Sequence, residues 1–380
     1  MANRKVLFEA SPMLDKHKTG VGYYVEYLTR ALADSGKIDL EGFYFDFLGR
    51  NRKQGPMLPN TRFRRIFLIP GKLLSLARRF GWQPPLETFV RSRADITLFT
   101  NYVSLPVLKK TKVALVVYDL SYLDHPEFTQ ERNLTFLNTF CSDSIRKADL
   151  IITISDFTKQ RIVSLFPNIS AEIVVTPIPP LPLKQYVKND LILKNHNLSA
   201  QHYILYLGTI EPRKNIEKLI EGYALLPANI RSKYPLVLAG GKGWKDGAIR
   251  NTIELYRNRG YTIVTTGYIS DKEKDSLYRN AACYVLPSHY EGFGMPILEA
   301  MQYQLPVVVS DIAVFHEVAG DAAYYFNKDN AQSIADTLSR CIADSPQPAE
   351  KIKRQQVELN QYSWRHNADT VIDAFESLLS

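Results

Sequence analysis

The sequence predicts an α/β protein made of two doubly wound, Rossmann-like domains in tandem. Three observations carry this. Short apolar runs alternate with helical stretches along all 380 residues. The runs are continuously apolar rather than alternating, as parallel strands covered on both faces should be. After one proline-rich break near the midpoint the alternation starts again, and a chain of this length has room for two cores.

Taken in order, eight runs read as buried strands: KVLFEA (5–10), VALVVYDL (113–120), LIITIS (150–155), YILYLG (203–208), PLVLAG (235–240), TIVTTGY (262–268), CYVLPS (283–288) and PVVVSD (306–311). Between them lie helical stripes. Ile216, Leu219, Ile220, Tyr223 and Leu226 form one; Tyr23, Tyr27, Leu28 and Ala31 suggest another after the first strand. The break is TPIPPLPLKQY (176–186), whose Pro177, Pro179, Pro180 and Pro182 forbid helix and central strand. It marks domains at 1–182 and 183–363, with a last helix over 364–380 expected to return to the first domain. In doubly wound sheets ligands bind beyond the carboxyl ends of the strands. Two facing domains would share one cleft.

Composition narrows the function classes. No run approaches the ~18 apolar residues of a membrane helix, and MANRKVLFEASP lacks the apolar core of a signal peptide. Cys141, Cys283 and Cys341 are odd in number and far apart, so reduced thiols are expected and a cytoplasmic address with them. The net charge is +8. The excess concentrates between Arg50 and Arg93, where RRIFLIPGKLLSLARRFGW mixes cations with Leu, Phe and Trp and the only acid is Glu87. Such a segment suits the anionic inner face of a membrane, or is a solvated basic face. No nucleic-acid-binding motif accompanies it. The histidines show no metal-ligand spacing, and no Asp-x-Asp triplet, G-x-S-x-G elbow or P-loop lysine occurs. No metal and no separate cofactor are expected.

Three turns could carry chemistry. Gly20 and Gly22, after the first strand, can let backbone amides approach an anion at a helix start, or simply make a turn. In LGTIEPRKNIEKL, Gly208 ends a strand, Asn215 is placed to cap the next helix, and Arg213 and Lys214 sit side by side between them. Two cations there suit a diphosphate, or are a solvated basic turn. In SHYEGFGMPILEA, Glu291 and Glu299 lie eight positions apart, with Gly292 and Gly294 between them and Pro296 opening a helix. A carboxylate can accept both hydroxyls of a sugar diol; the bland alternative is acids that offset a helix dipole. Asp119, with Asp124 and His125 after it, lies at the ligand-binding end of a strand but can equally cap a loop.

Together GTIEPRKN, GYISDKEKDSLYRNAACYVLPSHYEGFGMPILEAM and LPVVVSDIAVFHEVAGDAAYYFN resemble the retaining GT-B glycosyltransferases of family 4, and Glu291 and Glu299 match their E-x7-E motif. The likeness is strong over 203–327. It is weaker but in order through TGVGYY, VVYDLSYLDHPE and ITISDFTKQRI. The resemblance implies a nucleoside-diphosphate-sugar donor bound mostly by the second domain. Arg213 and Lys214 would hold its diphosphate and Glu299 its ribose. Glu291, with Gly292, Phe293, Gly294 and Met295, would hold the transferred sugar, and Tyr268 would border the base. From the first domain Gly20 and Gly22 would approach the diphosphate, with Tyr118, Asp119 and Ser155 near sugar and acceptor. The family commonly has His-Asp where this chain has Tyr118-Asp119. The overall pattern points to GDP-mannose and to a lipid-linked glycan or glycolipid acceptor in cell-surface polysaccharide synthesis. A UDP-hexose or UDP-N-acetylhexosamine transferase, or a non-catalytic nucleotide-sugar-binding protein, are the alternatives.

Overall fold

The computed structural model describes residues 4–14, 19–46, 57–59, 61–67, 84–184, 186, 190–344 and 347–380. It divides the chain into two units, 1–178 with 363–380, and 179–362. In the first unit the strands are β1 (Arg4–Glu9), β2 (Ile38–Phe45), β3 (Arg62–Ile66), β4 (Ile96–Phe99), β5 (Lys112–Val117), β6 (Leu150–Thr153) and β7 (Glu172–Val175). They form one sheet in the order β3-β2-β1-β4-β5-β6-β7. The second unit holds β8 (Ile204–Leu207), β9 (Leu236–Ala239), β10 (Ile263–Gly267), β11 (Cys283–Leu286), β12 (Val307–Ser310) and β13 (Tyr324–Phe326), in the order β10-β9-β8-β11-β12-β13. Every strand pair in both sheets is parallel. The strand order reverses between β1 and β4 in one sheet and between β8 and β11 in the other. Loops leaving adjacent strands there diverge to opposite faces and leave a ligand crevice.

All eight apolar runs contain a strand. The helix Ile216–Leu225 buries Ile216, Leu219, Ile220 and Tyr223, with Leu226 just beyond it also buried. The helix Gly20–Asp34 departs from expectation in two ways. Gly20 and Gly22 form its first turn rather than preceding it. Its buried face is Tyr24, Val25, Leu28 and Leu32, not the stripe through Tyr23 and Ala31. The reason is a second neighbour: the ring of Tyr27 stacks on Trp364 at 5.5 Å, at the start of the last helix, Trp364–Leu379. That helix belongs to the first unit, where Asn367 also donates to the Pro177 carbonyl at 2.6 Å.

The three thiols are free and buried, and burial pushes Cys141 up to about 12. No helix among the described residues is long and apolar enough to cross a membrane. Of the basic segment, Arg62, Arg64, Arg65, Arg91 and Arg93 are described; Arg50, Arg52, Lys53, Lys72, Arg78 and Arg79 lie outside the described residues.

One glycine loop fixes the turn that follows β8. Gly240, at the end of β9, has φ +149°, and a Cβ there would lie 1.9 Å from the Gly208 carbonyl oxygen. Ile210 and Gly243 then exchange backbone bonds with the same loop: Ile210 N–H donates to Gly241 at 3.0 Å, and Gly243 N–H to Ile210 at 3.0 Å. Gly240→Ala should therefore destabilise the second unit by at least ~2 kcal/mol, since both the φ and the backbone contact are refused to a side chain. Gly247→Ala is the control, because a Cβ there meets nothing within 4 Å. Equal thermal midpoints for the two variants would refute this account of the loop.

Candidate active site

The loops that follow β8 and β11 meet at the reversal point of the second sheet. After β8 the chain runs through Gly208 into a 3-10 turn, Pro212–Lys214. After β11 it runs through Ser288 to Glu291 and on into the helix Met295–Gln302. Two backbone-anchored bonds stitch the loops. His289 N–H donates to the Arg213 carbonyl at 2.9 Å, and Arg213 Nη1 donates to the Tyr290 carbonyl at 2.8 Å.

The side chains complete the joint. Arg213 Nη1 donates to Glu291 Oε2 at 2.6 Å, and Nη2 to Glu211 Oε1 at 2.9 Å. Lys214 Nζ bonds the other Glu291 oxygen, Oε1, which also accepts from Ser288 Oγ at 2.7 Å. Glu211 is 2% exposed and Glu291 8%, so little water screens these charges. Burial alone would push Glu291 up. Arg213 and Lys214 outweigh it and hold the carboxyl at about 2. Glu211 goes the other way: burial raises it, and Arg213 and Lys214 only partly offset that. The result is a compact cluster of two cations and two carboxyls at the ligand-binding edge of a parallel sheet.

Glu299 occupies a second station on the same unit. It lies in the second turn of Met295–Gln302, accepting from Lys274 Nζ at 2.8 Å and Tyr278 Oη at 3.0 Å. Buried Tyr284, whose hydroxyl donates to the Leu207 carbonyl at 3.3 Å, feels the charge of both glutamates. Burial raises its phenol first, and the charges of Glu299 and Glu291 raise it further. Between the glutamates the chain is turned by Gly294 at φ +113°, where a Cβ would press on Phe315 and Ile297 at 3.0 and 3.1 Å. Phe293 is buried edge-on against Tyr362 at 5.8 Å, so its ring is a packing element. Gly292 is buried and Met295 half-buried beside it. Tyr268 follows Gly267 (φ +71°) at the end of β10 and is 64% exposed. Asn215 does not cap the helix it precedes. It takes a left-handed φ of 54°, and its amide donates to the Lys328 carbonyl at 2.9 Å instead.

The remaining candidates belong to the first unit. Tyr118 is 4% exposed, and its hydroxyl donates to the Thr100 carbonyl at 2.9 Å. Its ring packs edge-on against Tyr24 and Tyr102, both at 5.5 Å. Asp119 Oδ1 accepts from the amide and hydroxyl of Ser121 at 2.9 and 2.7 Å, at the start of a one-turn helix, Ser121–Asp124. Asp124 is gripped by Arg161 at 3.0 and 2.5 Å, and His125 lies 3.0 Å from Glu127. Ser155 is fully buried and its hydroxyl caps Asp156–Leu165 by accepting from Thr158 N–H at 3.1 Å. In this structure the polar groups of Tyr118 and Ser155, and one oxygen of Asp119, are engaged in local structure.

Four members of the second-unit site escaped the sequence reading: Glu211, Ser288, Lys274 and Tyr278. Lys274 had a signal, being a cation in the first turn of the helix Asp271–Asn280, where the dipole favours acids. Glu211 stands two residues before Arg213 and shared its turn. No group of three or more His, Cys, Asp or Glu among the described residues could hold a metal ion.

Comparison with solved structures identifies this architecture as GT-B. Sucrose-phosphate synthase from Thermosynechococcus elongatus superposes with a TM-score of 0.75 at 18% identity, covering 99% of each chain. Anabaena HepE in complex with UDP-glucose superposes with a TM-score of 0.70 at 15% identity, covering 98% of this chain and 99% of the other. Residues 189–358 match the family model described as Glycosyl transferases group 1. O-antigen chain mannosyltransferase B of Escherichia coli is 34% identical over 98% of this chain and all of its own. The chain belongs to the group 1 glycosyltransferases.

Proposed function

We propose that this glycosyltransferase moves mannose from GDP-mannose to a lipid-linked glycan acceptor, with retention at the anomeric carbon and without a metal ion. The observation that carries the nucleotide-sugar part is the Arg213–Lys214–Glu291 cluster at the reversal point of the second sheet. The relative named as an O-antigen chain mannosyltransferase favours mannose. The HepE complex supports an intact nucleotide sugar as the kind of ligand the fold accepts.

Breaking the bond between the anomeric carbon and the diphosphate builds negative charge on the leaving group and positive charge on the sugar. Arg213 and Lys214 would stabilise that leaving group as fixed cations. Both are paired with Glu291 in this structure. Donor binding on this reading exchanges one carboxylate for another anion: the diphosphate takes the cations, and Glu291 turns to the sugar hydroxyls. Glu299 takes the ribose diol, with Lys274 and Tyr278 orienting its carboxylate. Retention with attack on the face the diphosphate leaves lets the departing phosphate accept the acceptor proton, so that positioning does most of the catalysis. The acceptor's lipid carrier would keep the enzyme at the inner membrane face, helped by the basic 50–93 segment.

A panel of GDP-mannose, UDP-glucose and UDP-N-acetylglucosamine tests the proposal, with NMR assignment of the new linkage. Turnover of GDP-mannose with an α-linked product, undiminished by EDTA, is the expected result. Preference for a UDP sugar would replace the donor assignment; binding without turnover of any donor would leave a non-catalytic homologue. Glu299→Ala should weaken donor binding about tenfold, the scale of a lost charge-assisted hydrogen bond. Unchanged affinity would remove Glu299 from the ribose.

A further inference from the structure

A charged cavity lies in the first unit, at the opposite edge of its sheet from the carboxyl ends. It has a volume of about 320 Å³ and is walled by the amino-terminal parts of β1, β2 and β3 and by the stretch 91–94 before β4. The register explains why it exists. Lys5 pairs with Asp39, and Glu41 with Arg62, across neighbouring strands. Further along the same strands Leu7, Phe43 and Ile66 join the core, covered by Leu86 and Val90. Where that apolar cover ends, the chain continues as Arg91-Ser92-Arg93 over the charged ends of the strands.

The charges do not balance. Lys5, Arg62, Arg64, Arg91 and Arg93 face Asp39 and Glu41. Glu41 is already taken, by Arg64 at 2.7 Å and by Ser92 Oγ at 2.8 Å. Burial would raise its carboxyl, but Arg64, Ser92 and Arg62 together hold it below the ordinary range. Among the described residues no carboxylate is paired with Arg62, Arg91 or Arg93. Three exposed guanidiniums line one concave site in which Glu41 is already engaged and Asp39 is the one other carboxylate of the lining, and that excess of positive charge is an arrangement that recruits an external anion.

We propose that this cavity is a phosphate-binding site, taking a phosphomonoester, phosphodiester or diphosphate group through Arg62, Arg91 and Arg93. Its lining includes none of the residues assigned to the donor, and it does not depend on the donor assignment. Cavities of ~300 Å³ lie at the small end of ligand sites, which suits a phosphorylated headgroup better than a whole nucleotide sugar. Arg is the suited cation, because its fork pairs with phosphate oxygens two at a time. Arg64 is already held by Glu41 and would supply field rather than contact.

The full-length protein, with GDP at saturating concentration to occupy the donor site, is titrated calorimetrically with inorganic diphosphate, and separately co-sedimented with vesicles of phosphatidylcholine with and without one-third phosphatidylglycerol. R62Q/R93Q is compared with K109Q/K110Q, which removes the same charge from an exposed turn elsewhere in the first unit. Binding by the wild type that falls at least tenfold in R62Q/R93Q, and less than twofold in K109Q/K110Q, is the expected result. If that loss is seen with vesicles alone, the natural source is a lipid headgroup; if with diphosphate as well, a soluble phosphate also enters. Equal losses in the two variants, or no binding of either probe by the wild type, would overturn the site. Equal thermal midpoints and unchanged GDP-mannose binding in R62Q/R93Q exclude a folding defect and keep the outcome independent of the second unit.

Discussion

Arg213→Ala is expected to lower kcat by about a thousandfold, the effect of removing a fixed charge from a leaving group that becomes more anionic in the transition state. The guanidinium makes three contacts at once: Glu291 at 2.6 Å, Glu211 at 2.9 Å and the Tyr290 carbonyl at 2.8 Å. It thus closes the β8 loop onto the β11 loop as well as supplying charge. The alanine variant should also lose ~3–5 kcal/mol of stability in the second unit, because two buried carboxyls lose a shared partner. Arg213→Lys separates the roles. An ammonium keeps the charge but lacks the planar fork that reaches both carboxyls. It should retain more of the rate than alanine while losing much of the same stability. Steady-state kinetics and urea unfolding on the three proteins decide the matter. A lysine variant as slow as alanine but fully stable would mean that geometry at the phosphate, not charge, is what Arg213 provides.

What could be read from the sequence follows from how local each feature is. The strands found were continuous apolar runs. Those missed were β2, whose IDLEGFYF is interrupted by charge and glycine, β3, whose RFRRI is mostly arginine, and the short β4, β7 and β13. Both β3 and β7 are edge strands, where one flank needs no partner and arginine is tolerated. Arg213, Lys214 and Glu291 were recognisable as charged residues in turns at strand ends. Their pairing was not, because it depends on β8 lying next to β11 rather than β9 alone, a fact of topology with no local signal.

Capping residues were harder still. Ser155 stands immediately before its helix and caps it, and Asp119, two residues before the next helix, bonds that helix's first residue, Ser121. A hydroxyl or carboxylate in that position has a local use before it has a ligand. Asn215 shows the reverse error. It stands at a helix start and looks like a cap, yet its left-handed backbone turns the side chain to Lys328. Tyr118, which the resemblance places near the sugar, has its phenol bonded to the Thr100 carbonyl inside the first unit in this structure.

Buried Glu291 and half-buried Glu9 should give the two units opposite responses to pH, and this is testable by substitution. Glu291 has a carboxyl depressed from 4.5 to about 2 by Arg213 and Lys214 against the cost of burial. A depressed acid contributes stability that is full above its unfolded value near 4.5 and is lost as pH falls towards 2. The shift corresponds to about 3 kcal/mol. Glu9, at the carboxyl end of β1, is raised from 4.5 to about 7 by burial, which hydrogen bonds from Ser11 and Thr100 only partly offset. Its sign is opposite: it costs nothing below 4.5, and its ionisation opposes folding increasingly as pH rises through 7, by a similar ~3 kcal/mol in full. Glu291→Gln should therefore be less stable than wild type at pH 7, with the difference shrinking as pH falls from 4.5 to 2. Glu9→Gln should match wild type at pH 4 and exceed it at pH 8. Urea unfolding across this range reads both. A stability loss in Glu291→Gln that is the same at pH 3 as at pH 7 would show that the cations do not hold the carboxylate, and would remove the competition between Glu291 and diphosphate on which the donor-exchange step rests. The same variant gives a second reading of that step. With the competing carboxylate neutralised, GDP should bind Glu291→Gln at least as tightly as wild type while sugar transfer falls. Weaker GDP binding would mean that Glu291 helps to hold the nucleotide instead of yielding its cations to it.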